Sequence, residues 1–231
     1  MRLDKYICEC TSTTRSEAKK SLHQGLVCCN DKIIKDPKHK VSEADIITFN
    51  GEIIRLLGPR FIMLNKPTGI ICSTQDEVYP CVLSLLNVKK TETLHVAGRL
   101  DVDTTGLVLI TDDGAWSHLV TSPKKECGKR YRVTLAEPIK KELISTFLQG
   151  VQLRGEDTLT KPAKLELIND HDALLTITEG KYHQVKRMFA ALGNKVVSLH
   201  RESIGLIELD SALAAGEWRY LTEREIHSIK S

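Results

Sequence analysis

The sequence predicts an α+β protein made of a small N-terminal domain and a larger domain with a mostly antiparallel mixed sheet flanked by helices. Three observations carry that expectation. Beyond residue 58, strand-like segments outnumber helical ones and do not alternate with them as βαβ units would. Gly58-Pro59 is the best break between two stretches, residues 1–57 and 58–231. With 231 residues, 41% hydrophobic and 27% charged, the chain can bury a sizeable core without disulfides or metals.

In residues 1–57, Leu3 and Ile7 and then Ala18 and Leu22 sit at helical spacing, with Ser16 as candidate N-cap before Glu17. Residues 25–29 change to strand character, and Asn30-Asp31 reads as a hairpin-like turn into Lys32-Ile33-Ile34. Residues 45–49 form a further strand, ended by Asn50-Gly51. In residues 58–231, strands are expected over 61–64, 106–112, 131–135, 173–178 and 195–199. Helices are expected over 115–121, 138–149, 181–192 and 222–229. Within 181–192, Val185, Met188, Phe189 and Leu192 make one apolar stripe, flanked by Lys186 and Arg187.

Net charge is only +3, with ten Lys/Arg against eight Asp/Glu in residues 1–57, so any nucleic-acid site must be local. Arg15, Lys19 and Lys20 fall largely on one helix flank, which reads equally as a solvated face. Lys124, Lys125, Lys129, Arg130 and Arg132 form the densest basic stretch, opposed only by Glu126. The seven cysteines include no pair at zinc-knuckle or redox spacing. Cys8, Cys10 and His23 are a bare spacing match to a metal site, and buried thiols in a reducing compartment are the expectation. No apolar run approaches membrane-spanning length, and the start lacks a signal-peptide core, so a cytosolic protein without membrane attachment is expected.

The most informative stretch is Gly98-Arg99-Leu100-Asp101-Val102-Asp103-Thr104-Thr105-Gly106, which runs into the apolar Leu107-Val108-Leu109-Ile110. A polar loop held by a buried strand is where catalytic groups tend to sit, although Asp and Thr there could simply cap turn amides. Asp101, Asp103, Thr105, Gly106 and Asp112 fit positions of a calcium loop, but its bidentate glutamate and flanking helix pair are missing. Asp-x-Asp-x-Thr is similar to a phosphatase nucleophile motif, yet Gly98-Arg99 precede the first Asp where a hydrophobic strand should end.

Gly98-Arg99-Leu100-Asp101-x-Asp103-Thr104-x-Gly106-Leu107 resembles the signature of the RsuA/RluA-type pseudouridine synthases. Further blocks agree in order: Asn65-Lys66-Pro67-x-Gly69, Lys129-Arg130-Tyr131-Arg132-Val133, and Gly180-Lys181-Tyr182-His183-Gln184-Val185-Lys186-Arg187-Met188. Residues 1–57 resemble the RNA-binding module named after ribosomal protein S4. Asp103-Thr104-Thr105 and the 111–118 segment look most like the small-subunit branch of the family.

The resemblance implies isomerisation of a uridine in 16S ribosomal RNA, or in its assembling particle, by a monomer that needs no cofactor and no metal. Asp101 would be the catalytic carboxylate, attacking the sugar, adding to the base or removing a sugar proton; the residues do not choose among these. A basic residue matching Lys186 would pair with Asp101, with Arg187 as the alternative because many relatives carry Arg there. Tyr131, by itself an ordinary strand aromatic, would stack on the flipped uracil. Arg15, Lys19, Lys20, Arg99, Lys129, Arg130 and Arg187 would contact RNA. The rival readings are a non-catalytic RNA-binding assembly factor, a synthase acting on large-subunit or transfer RNA, and a magnesium-dependent phosphatase.

Overall fold

The computed structural model describes residues 1–75 and 77–229. The chain divides into two compact units, Met1–Pro59 and Arg60–Ser231.

The first unit contains α1 (Leu3–Cys10), α2 (Arg15–His23), β1 (Val27–Cys29), β2 (Lys32–Ile33), β3 (Ile47–Phe49) and β4 (Glu52–Ile54). Its antiparallel sheet runs β2-β1-β3-β4. The hairpin turns are Asn30-Asp31 and Asn50-Gly51, all at positive φ, the left-handed pair that matches strand twist. Helix α2 starts earlier than a cap at Ser16 would have it. Thr14 is the N-cap, its hydroxyl accepting from the Glu17 amide while the Glu17 carboxylate accepts from the Thr14 amide. Leu3, Ile7, Ala18, Leu22, Val27 and Ile47 form this unit's own core.

The second unit adds β5 (Phe61–Lys66), β6 (His95–Ala97), β7 (Thr105–Thr111), α3 (Gly114–Thr121), β8 (Lys129–Leu135), α4 (Leu143–Gln149), β9 (Lys164–Leu167), β10 (Asp172–Ile177), α5 (Gln184–Ala191), β11 (Val196–Ile204), β12 (Ile207–Glu208), β13 (Trp218–Tyr220) and α6 (Glu223–Ser228). The sheet order is β13-β5-β7-β11-β8-β10-β9, with β6 on β7 and β12 on β11. Among these named strands only β7 and β11 pair in parallel, through His200 opposite Thr105 and Arg201 opposite Gly106. The α+β class and the mostly antiparallel sheet are therefore as expected.

Two helices are shorter than their apolar periodicity suggests. Residues 138–142 are not α-helical: the Ile139 amide bonds to the Asp170 carbonyl, and α4 begins only at Leu143. Helix α5 begins at Gln184 because His183, at φ 48°, cannot continue a right-handed helix. The stripe of Val185, Met188 and Phe189 is buried as predicted, in the core shared by β7, β8 and β10.

Candidate active site

The loop 98–104 crosses from β6 to β7 and is clamped from behind by two buried cations. Lys66, at the end of β5, is fully buried. Its Nζ donates to the carbonyls of Pro67 at 2.9 Å, Val102 at 3.3 Å and Thr104 at 2.8 Å. Burial lowers its pKa below the ordinary lysine value, and the nearby Cys72, Asp103 and Asp101 partly oppose that shift. Arg201 on β11 is 1% exposed. Its Nε donates to the Leu107 carbonyl at 2.7 Å, and Nη2 to the Gly98 carbonyl at 2.8 Å. One guanidinium thus ties both ends of the loop.

Gly106 makes this possible. It sits at φ 101°, and a Cβ there would lie 2.3 Å from the Arg201 carbonyl oxygen. No other residue allows β7 and β11 so close an approach at this point.

Asp101 projects from this clamped loop toward the start of α5. Lys186 Nζ lies 3.1 Å from Asp101 Oδ2 and 2.5 Å from Asp103 Oδ1. Nε2 of His183 lies 3.3 Å from the other Asp101 oxygen, Oδ1. Burial disfavours charge on Lys186, but its hydrogen bonds to Asp103 and Asp101 outweigh burial and hold its pKa above the ordinary lysine value. The Lys186 hydrogen bond in turn lowers the pKa of Asp103. A single ammonium therefore bridges two carboxylates, where an arginine would grip one bidentately.

The alternative pairing through Arg187 is not the one adopted. Arg187 turns the other way, to Glu156 at 3.1 Å and to the carbonyls of Tyr182 and Arg154. Glu156 also takes Lys181 at 2.8 Å, so Arg187 fixes the 154–156 loop to α5.

Two further expectations need correction. Lys129 is buried, 6% exposed, with its Nζ donating to the Cys127 carbonyl, so it is not presented to a phosphate. It shares the inward face of β8 with Tyr131 and Val133. On the outward face, Arg130 and Arg132 both pair with Glu202, which partly neutralises the basic stretch. Tyr131 is only 7% exposed. The Arg201 guanidinium sits 5.9 Å from its ring centroid and donates to its hydroxyl at 3.4 Å. Tyr131 thus offers little open stacking surface in this conformation. Arg99, Arg15, Lys19 and Lys20 are exposed, the last three on α2 of the first unit.

Arg201 and His183 are the residues that sequence reasoning missed. Alternation along β11 was the available signal for Arg201, which follows buried Leu199 by two positions on the same face. Nothing in the sequence announces the left-handed backbone of His183.

Among the described residues, no group of three or more His, Cys, Asp or Glu is arranged to hold a metal ion, Cys8, Cys10 and His23 included. No helix among them is long and apolar enough to cross a membrane.

The family model described as RNA pseudouridylate synthase matches residues 60–191. The S4 domain model matches residues 1–47. The chain is 55% identical over 229 residues to the ribosomal small subunit pseudouridine synthase A of Vibrio cholerae, covering 99% of each chain. It is 50% identical over 230 residues to the protein of the same name from Haemophilus influenzae, again covering 99% of each. A solved structure described as a pseudouridylate synthase superposes over 100% of both chains, with a TM-score of 0.73 at 50% identity.

Proposed function

We infer that the chain, which belongs to the RNA pseudouridylate synthase family and is thereby a pseudouridine-forming isomerase, acts on a uridine of 16S ribosomal RNA with Asp101 as its reacting carboxylate. The small-subunit assignment rests on full-length relatives whose names specify the ribosomal small subunit. The S4 domain supports RNA as the substrate. A cytoplasmic location and a monomeric enzyme fit that substrate.

The observation that carries the role of Asp101 is its contact with Lys186 at the edge of a loop tied down by Lys66 and Arg201. The reaction breaks the bond from ribose C1′ to uracil N1, turns the base and joins C1′ to C5. The hydrogen on C5 leaves as a proton and N1 gains one, so the change is redox-neutral. A pre-positioned carboxylate suits a step in which the sugar carbon loses its nitrogen partner, as in glycoside cleavage. The rigid loop supplies orientation without further ordering when substrate arrives.

The test is to incubate purified protein separately with small-subunit, large-subunit and transfer RNA, and to map pseudouridine at nucleotide resolution. One modified position in the small-subunit RNA is expected, and none with Asp101→Asn. Modification confined to another RNA overturns the substrate assignment. Turnover by the variant overturns the role of Asp101.

A further inference from the structure

Beside Asp101 lies an aromatic pair with no part in the clamp of Lys66 and Arg201. The rings of Tyr182 and His183 stack with centroids 3.8 Å apart and planes 22° apart. His183 meets Asp101 through Nε2. Tyr182, the outer ring, is 77% exposed. An exposed tyrosine is ordinary, but the backbone that carries this one is held in place. Its carbonyl accepts from Arg187 at 3.1 Å, and the preceding Lys181 is tied through its amide to Gln184 and through its ammonium to Glu156. The next residue carries the left-handed backbone that turns the imidazole toward Asp101. Such a conformation is disfavoured for a non-glycine residue and persists only where surrounding contacts impose it.

We propose that Tyr182 is a stacking platform for an unpaired RNA base next to the target uridine, with His183 joining that platform to Asp101. This rests on the reading that the chain modifies RNA at Asp101. The layer order carries the argument. His183 meets the carboxylate through the edge of its ring, and Tyr182 covers a face of that ring. A base on the free face of Tyr182 is the third ring of this stack, with Tyr182 between it and the imidazole that touches Asp101, so it is not the base that reacts. Aromatic side chains bind single-stranded bases in this manner without needing base-specific hydrogen bonds. A uridine turned out of its stack leaves its neighbour's face uncovered, and Tyr182 offers a surface for it. The exposed Arg154, whose carbonyl is held by Arg187, stands on the adjoining loop with its charge available to the backbone of the same strand.

The experiment uses the full chain and an RNA fragment carrying the mapped target, with 2-aminopurine in place of the base on its 5′ or 3′ side. With wild-type protein, fluorescence at one of the two positions should be quenched on binding. Tyr182→Ala should abolish that quenching and weaken RNA binding on the order of tenfold. Tyr182→Leu should behave like the alanine variant, while Tyr182→Phe should restore both readouts because it keeps the ring. Turnover at saturating RNA should change far less than affinity. Unaltered affinity and quenching in Tyr182→Ala overturn the proposal, as they would if the ring served a protein partner. A collapse of saturated turnover with quenching intact also overturns it, because Tyr182 would then act on the reacting base. Failure of the underlying reading is distinct: wild-type protein would form no pseudouridine at all.

Discussion

Lys186 Nζ sits 3.1 Å from Asp101 Oδ2 and, on its other side, 2.5 Å from Asp103 Oδ1. The neighbouring Arg187 is committed to Glu156. Lys186→Met should therefore lower single-turnover pseudouridine formation by about a hundredfold, the cost of a misplaced reacting group. Arg187→Met should cost less in rate and act mainly by loosening the 154–156 loop. Neither side chain belongs to the buried stripe of α5, so both variants should fold. Equal, mild effects on turnover would mean that the lysine does not position the carboxylate.

The same bridge predicts a pH window. The pKa of Asp103 is depressed from about 3.8, so its stabilisation is complete above that value and fades as pH falls through the lower folded one. The pKa of Lys186 is raised from about 10.5, so its share is complete below that value and is lost only at higher pH. The stability difference between wild type and Asp103→Asn should persist from about pH 5 to 9 and shrink below the carboxylate range. It should be small, because Asp103 is largely exposed. Urea melts at several pH values measure it. A difference that disappears near neutrality would contradict the ion pair.

Lys66 acts behind the loop, not in front of it. Lys66→Met removes a donor from three carbonyls; Val102 keeps the Gly69 amide, but the buried Thr104 carbonyl loses its lysine donor, at roughly 1–3 kcal/mol. Thermal unfolding should shift down by at least a few degrees, at about 2–4 °C per kcal/mol for a chain of this size. Turnover should also fall at temperatures where the variant is fully folded, because Val102 and Thr104 flank the Asp101 turn. Full turnover in a destabilised variant would reduce Lys66 to a purely structural role.

These residues differ in how openly the sequence declares them. The loop around Asp101 was legible because glycines bracket it and a continuous apolar strand follows, and both features are local. The hairpin at Asn30-Asp31 was legible for the same reason. Lys66 stood inside a recognisable block, but its three partners lie on its own turn and across the β5–β7 ladder, where only pairing reveals them. Arg201 was given no role, because the strand expected there ended at residue 199. Its burial follows from the parallel pairing of β11 with β7, a contact between residues almost a hundred positions apart. Lys129 was misread because charge was weighed above the alternation that puts it on the inward face with Tyr131. The late start of α5 depends on one backbone torsion at His183, which no periodicity encodes.

The two units should also separate functionally. Residues up to Pro59 close their own core around Leu3, Ile7, Leu22 and Ile47, and the residues after it close theirs around other side chains. A chain beginning at Pro59 should therefore fold alone and keep every residue of the Asp101 clamp. It should bind ribosomal RNA more weakly, because Arg15, Lys19 and Lys20 on α2 are exposed cations that the truncation removes. Removing one cation from a phosphate lowers the salt slope of binding by about 0.7–0.9, so removing all three should flatten it by roughly two to three. Single-turnover conversion over a range of protein concentrations separates affinity from chemistry. Turnover should fall steeply at low concentration and recover at saturation if the first unit supplies affinity alone. If saturation does not restore it, the first unit also orients the RNA at Asp101. Equal affinity and an unchanged salt slope in the truncated chain would remove the RNA-binding role from residues 1–57.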